Sequence, residues 1–448
     1  MLILKWSDNY RFMYNISGDH MKKILYQEVY QSIKTKITHQ VYKFNHKLSS
    51  IRQYAKQSGY STTTIERAYE QLLIEGYIYS LPRSGFYVAK IDQLHPSDVN
   101  QKVEAYTFNY FQNNQFTHDL FDIKQYKSIV NKVFNYEKDA LYTELDIRGE
   151  EILREEIKKY VLKEREIEVD KDQIIIGPGI QYLLHILINI TTSKKVTYLK
   201  PAFEKAMSIF QSYNYERIPC KDIGEITKKK THFIYLSPSN IYPSGEVLKI
   251  QDRTTIINYA NDSDAYIIED DYNFLFKYHT SVIPSMYSID QYDRVIYLGS
   301  FSKTLLPSSR ISFMILPPKL YAMFLQKITL FSQGVSKLEQ YSLAYFMKEG
   351  LFYRHTKKLL SLYKLKNETI IKALNIYKEK GQYELSSNDS NMHVVIHFKD
   401  KIQFEHMMTK LTRLKLGYYR IPDTKDILFP YSGLELKNIP DLVKKLFS

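Results

Sequence analysis

The chain has 448 residues, 44% of them hydrophobic, enough to bury more than one sizeable core; a prior of roughly 150 residues per domain suggests two or three. Its 62 Lys and Arg outnumber 49 Asp and Glu, and residues 1–90 alone hold thirteen basic against six acidic residues, which points to a polyanion-binding module at that end. No run of eighteen uncharged apolar residues is present, no signal-peptide layout opens the chain, and the one cysteine, Cys220, excludes an intrachain disulfide; a cytoplasmic protein without a membrane span is expected.

From Lys22 to His39 the apolar positions Leu25, Val29, Ile33 and Ile37 recur every four residues, the stripe of an amphipathic helix. Ser49-Ser50-Ile51-Arg52 opens a second helix with Ile51, Tyr54 and Ala55 on its face and Gly59 at its end. Ser61-Thr62-Thr63 opens a third, with Ile65, Ala68, Tyr69, Leu72 and Leu73 as its apolar residues and Gly76 closing it. Two β-prone runs follow, Tyr77–Tyr79 and Phe86–Val88, around Pro82-Arg83-Ser84-Gly85. A helix, a helix-turn-helix and a hairpin wing make a DNA-reading layout. In it Ser61, Thr62 and Thr63 would meet phosphates or base edges, and Arg52 and Arg83 would anchor phosphates. The stretches Leu48–Arg52, Ser61–Tyr77 and Arg83–Val88 resemble the GntR family of bacterial transcription regulators over residues 22–89. That resemblance implies binding to double-stranded operator DNA and adds Ser50, Arg67 and Ser84 to the contact set. The family often has an arginine where this chain has Thr62, which separates its base preference from the family's.

Residues 90–105 contain Pro96 and show no sustained apolar period, which predicts an exposed linker between a first domain, 1–89, and a second, 106–448. Beyond it, strand-like runs at Gln173–Ile176, Lys195–Leu199, His232–Leu236, Ala265–Ile268, Arg294–Leu298 and Ile311–Leu316 alternate with helical ones. The pattern predicts an α/β domain with a mostly parallel sheet covered on both faces. A basic helical region at about 336–378 and the alternating run Met392–Phe398 predict a small C-terminal α+β subdomain.

Ligands gather at the C-terminal ends of parallel strands, and two motifs fall there. In Ser300-Phe301-Ser302-Lys303 a lysine sits among hydroxyls, with Arg310 seven residues on; Asp270 ends an apolar run 33 residues before the lysine. A lysine amine can form a Schiff base with the aldehyde of pyridoxal 5'-phosphate (PLP), hydroxyls and an arginine can hold the phosphate, and a buried acid can pair with the pyridine nitrogen. No metal site is expected.

From about residue 106 onwards the order of motifs resembles fold-type I aminotransferases, and the whole chain resembles the MocR-type regulators, a GntR-like domain fused to an aminotransferase-like one. The resemblance implies that Lys303 is the catalytic lysine that carries PLP as an aldimine and that Asp270 is the pyridinium partner. It gives Tyr272 the ring hydroxyl, Ser300, Ser302 and Arg310 the phosphate, and Gly179 and Ile180 a backbone phosphate site. Phe203 would stack on the ring, and Tyr142 would reach the site of the partner in a homodimer. Three departures bear on the chemistry. Gly177-Pro178-Gly179 replaces a hydroxyl-bearing turn; no asparagine directly precedes Pro243 in Ser237–Gly245; and Ile427–Gly433 lacks the arginine that clamps a substrate carboxylate. The resemblance therefore implies a regulator that senses PLP or a PLP–amine adduct and is not a productive enzyme, the alternative being a working PLP-dependent aminotransferase with an accessory DNA-binding domain.

Overall fold

The computed structural model describes residues 18–90, 121–192, 194–200, 202–242, 245–276, 283–378, 383–386, 392–421 and 424–447, without the side chains of 18–24. The chain forms two compact units that part between Tyr106 and Thr107. Beyond Lys90, the expected linker at 90–105 lies outside the described residues.

In the first unit α1 (Gly18–Thr38), α2 (Ile51–Ser58) and α3 (Thr62–Ile74) precede an antiparallel hairpin of β1 (Ile78–Leu81) and β2 (Gly85–Val88). Both short helices are capped as their serines predict: Ser50 Oγ accepts from the Gln53 N–H at 3.3 Å and Ser61 Oγ from the Thr64 N–H at 3.2 Å. Gly59, at φ +75°, ends α2 in the left-handed region that side chains resist. Val29, Ile33, Ile37, Ile65, Ala68, Tyr69 and Leu72 close one core with Ile78 and Val88. Leu25 and Leu73, expected on the apolar faces, are exposed. A four-residue repeat drifts about 40° per step and neighbours differ by about 100°, so Leu25 and Leu73 have turned away from the faces that Ile37 and Leu72 present.

The second unit is built on a seven-stranded sheet of β3 (Ile174–Gly177), β4 (Lys195–Leu199), β5 (Glu216–Cys220), β6 (Phe233–Leu236), β7 (Tyr266–Asp270), β8 (Val295–Ser300) and β9 (Ser312–Ile315). Their order is β3-β9-β8-β7-β6-β4-β5; β9 runs antiparallel to both its neighbours, and the other pairings are parallel. Strand β5 is not among the six expected runs; it contains Pro219 and lies at the sheet edge, where the donor that proline lacks is not needed. Alternate residues feed opposite faces: Ile174 and Ile176 pack in one cluster, Ile175 in another. The flanking helices include α4 (Ile123–Tyr136), α5 (Glu151–Arg165), α6 (Ile180–Ile190) and α7 (Glu204–Ser212).

The basic region divides at Gly350 (φ +73°) into the helices Lys337–Lys348 and Leu351–Lys378. After it, β10 (Tyr383–Ser386), β11 (His393–Phe398), β12 (Tyr419–Arg420) and β13 (Asp426–Pro430) form an antiparallel sheet in the order β10-β11-β13-β12, packed with the helices Lys401–Arg413 and Ile439–Phe447. No helix among the described residues is long and apolar enough to cross a membrane.

Candidate functional site

The parallel strands place their C-terminal ends along one rim of the large sheet, and the reversed β9 brings its first residues to that same rim. Asp270 is the last residue of β7 and Ser300 the last of β8, while Ser312 opens β9 opposite Ser300. Ser302 and Lys303 follow in the turn, and Gly179 stands just beyond β3 at the start of α6. Asp270, Ser300, Ser302, Lys303, Arg310, Gly179 and Ile180 therefore gather on four adjacent strands.

Three consecutive acids, Glu269 and Asp270 at the end of β7 and Asp271 just beyond it, have separate tasks. Glu269 accepts from the N–H groups of Met286 and Tyr287 at 2.8 and 2.9 Å and has Arg253 at 4.0 Å. Asp271 pairs with Arg165 at 2.7 Å and accepts from the Tyr297 hydroxyl at 2.9 Å. Asp270 is equally buried but has no cation among the described residues. Its Oδ2 accepts from the Tyr235 hydroxyl, whereas Oδ1 is enclosed without a hydrogen-bond partner. Burial pushes its carboxyl up to about 7, against the opposing pull of the Tyr235 hydrogen bond. Such a carboxylate has unmet capacity for a cation.

On the other side of the rim, hydroxyls and an arginine converge. Ser300 Oγ donates to Ser302 Oγ at 3.0 Å and accepts from the Ser302 N–H at 3.2 Å, and the Ser312 hydroxyl reaches it at 3.0 Å. Ser312 carried no sequence signal, because only its register opposite Ser300 brings it in. Arg310 donates to the Pro178 carbonyl at 3.4 Å. Gly179 caps α6 at φ +106° and ψ 161°, a region essentially reserved for glycine, and an ideal Cβ there would stand 2.8 Å from Arg310 Nη2. Ile180 and Gln181 are the first residues of α6, where helix N–H groups lack acceptors within the helix. Gly179→Ala is accordingly expected to strain the turn by about 1–3 kcal/mol and to displace Arg310. A titration with PLP should show weaker binding in this variant; unchanged affinity would remove Gly179 from the site.

Lys303 is half-buried, and loss of hydration lowers its ammonium pKa, which favours the nucleophilic free amine. Tyr272, two residues past Asp270, is half-buried with its hydroxyl pKa raised by burial. Phe203 precedes α7 beside the end of β4 and is 41% exposed, so it is not plain core packing. Tyr142 ends a short 3-10 turn at 82% exposure, and its segment is fixed by Lys337, whose ammonium donates to Thr143 Oγ1 at 2.6 Å and to the Glu144 carbonyl at 2.7 Å. Arg420 lies exposed on the edge strand β12 with its guanidinium 5.2 Å from the Phe404 ring, and Ile427 and Phe429 point into the subdomain core.

In the first unit, Thr62, Thr63 and Arg67 are exposed on α3, Arg52 on α2 and Arg83 on the wing, and none of the three arginines joins an ion pair among the described residues. Arg83 holds φ +63° at the tip between β1 and β2, and Ser84 bonds the Tyr87 hydroxyl at 2.6 Å. Ser50 and Ser61 spend their oxygens as helix caps, and the Ser61 hydroxyl also meets Thr64 Oγ1 at 2.8 Å.

Residues 25–88 match the bacterial regulatory proteins of the gntR family, and residues 102–422 match aminotransferase class I and II. The uncharacterized HTH-type transcriptional regulator YdeL of Bacillus subtilis is 32% identical over 94% of this chain and 96% of its own. The probable rhizopine catabolism regulatory protein MocR of Rhizobium meliloti is 23% identical over 95% and 93%. The chain belongs to the MocR-type regulators. It is a transcription regulator in which a gntR-family helix-turn-helix domain precedes an aminotransferase-like domain. The fold of that second part is shared with LysN, the α-aminoadipate aminotransferase of Thermus thermophilus, solved in complex with N-(5'-phosphopyridoxyl)-L-leucine, at a TM-score of 0.66 and 18% identity over 74% of this chain and 89% of that one.

Proposed function

We propose that this regulator binds PLP on Lys303 and changes its hold on operator DNA according to what occupies that site. One observation carries the reading: Asp270 is buried with a free oxygen and no cation among the described residues, on the rim that also holds a partly dehydrated lysine and a serine–arginine–glycine cradle. The residues fit the cofactor at each end. Asp270 would face the ring nitrogen, Tyr272 the ring hydroxyl and Phe203 the ring plane. Ser300, Ser302, Arg310 and the N–H groups at Gly179 and Ile180 would hold the phosphate. When bound, PLP supplies an aldehyde that condenses with a primary amine with loss of water; Lys303 provides that amine, and burial lowers its ammonium pKa, which favours the free form.

The domain boundaries follow the same reading: 1–89 grips DNA, 90–105 links, and 106–448 senses. The working form is a homodimer at the nucleoid in the cytoplasm, with Tyr142 completing the partner's site; its high exposure suits a residue whose cover comes from a second copy. The second domain is not a productive aminotransferase, since Ile427–Gly433 contains no arginine and Arg420 is engaged with Phe404. An α-amino acid lacks its bidentate anchor there, so the effector is PLP itself or a small amine.

Reciprocity of linkage makes this testable: if PLP alters DNA affinity, DNA alters PLP affinity by the same factor. Titrating operator binding with PLP, and with PLP plus amines or amino acids, should show a response to PLP or to an amine adduct. A typical coupling of 1–3 kcal/mol is a shift of about 5- to 150-fold. Silence towards PLP together with a strong response to one α-amino acid would overturn the effector assignment.

A further inference from the structure

We propose that Tyr235 is a positioning residue for Asp270, holding its carboxylate so that Oδ1 faces the ring nitrogen of the bound cofactor. This rests on the PLP reading above and extends it to a residue that no site motif contains. Tyr235 lies on β6, one strand over from β7, in register with Ile268. Both Tyr235 and Asp270 are 2% exposed, so no water competes for the hydrogen bond between them. The phenol offers a single donor, and it is spent on Oδ2. The carboxylate plane is thereby set, and the one oxygen left without a partner is Oδ1.

The other groups facing Asp270 leave this task to Tyr235. The charge of Asp271 opposes its ionisation, while Arg165 and Arg253 are committed to Asp271 and Glu269. A neutral donor thus aims the buried carboxylate and partly offsets the burial that disfavours its charged form, before a cation arrives. A cationic donor in its place would compensate Asp270 internally and weaken its attraction for a protonated ring nitrogen. The arrangement has the logic of an outer partner that orients the group touching the ligand.

Tyr235→Phe tests the assignment in the full-length protein, because the ring that packs in the core is retained and only the hydroxyl is lost. PLP affinity, read by absorbance titration, should fall about tenfold or more, as expected for losing a hydrogen bond to a charged group. The pH midpoint of the bound-cofactor absorbance should move by about one unit, the equivalent of that tenfold. In an Asp270→Ala background the same substitution should have no further effect on PLP affinity, since coupled residues are not additive. A lowered melting temperature with unchanged affinity and unchanged pH midpoint would make Tyr235 a packing residue and overturn the proposal. Absence of bound PLP in the unmodified protein would overturn the cofactor reading and this role with it, whereas normal binding there with additive losses in the double variant would overturn this role alone.

Discussion

Lys303→Ala is expected to abolish the long-wavelength absorbance of protein-linked PLP and the borohydride-fixed mass on the peptide that contains residue 303. The change is all or none, because the only amine in this turn is removed and alanine offers nothing to condense with the aldehyde. Non-covalent capture through Arg310, the serines and Asp270 should survive, so equilibrium dialysis of the variant should still show weakened PLP retention. Asp270→Ala has a different signature. The covalent link can form, but a desolvated partner charge is lost, which costs about 3 kcal/mol or more when one side of a buried pair is removed. A persistent absorbance band in Lys303→Ala would reject the assignment of the lysine.

The second large effect is on DNA. Raising salt from about 50 to 200 mM should weaken binding by roughly a thousandfold if some six phosphates are contacted, because each contact releases condensed counterions. Residues 1–90 carry a basic surplus, and Arg52, Arg67 and Arg83 are exposed without ion pairs among the described residues. Arg52→Ala and Arg83→Ala should each weaken different sequences about equally and lower the salt slope by about one, as phosphate contacts do. Substitutions at Thr62 or Thr63 should instead redistribute preference among sequences, since they stand exposed at the start of the recognition helix. Electrophoretic mobility shifts across a salt series separate the two behaviours. A first module with no salt-dependent affinity for its own promoter region would contradict the assignment of the DNA-binding surface.

Much of this was legible in the chain because local chemistry and tertiary structure agree. Ser50, Ser61 and Gly59 announce helix ends through capping and backbone freedom, and each does so in the structure. The buried strands read as continuous apolar runs because helices cover both faces. What stayed hidden depends on register between strands. Ser312 reaches Ser300 only because β9 reverses, and Tyr235 reaches Asp270 only because β6 lies beside β7. Neither relation leaves a mark in sequence spacing. The sorting of Glu269, Asp270 and Asp271 was equally silent, since three adjacent acids differ only in the partner the fold delivers to each: Arg253, the Tyr235 hydroxyl and Arg165.

The reversal of β9 also has a mechanical consequence. Ser300 to Ser312 leave the sheet and re-enter it on the neighbouring strand, and the hydroxyl contact between those two residues ties the base of the excursion. Closing so short a loop costs little entropy, and a tied base leaves it few alternative shapes. The amine of Lys303 and the guanidinium of Arg310 therefore ride on one stiff segment.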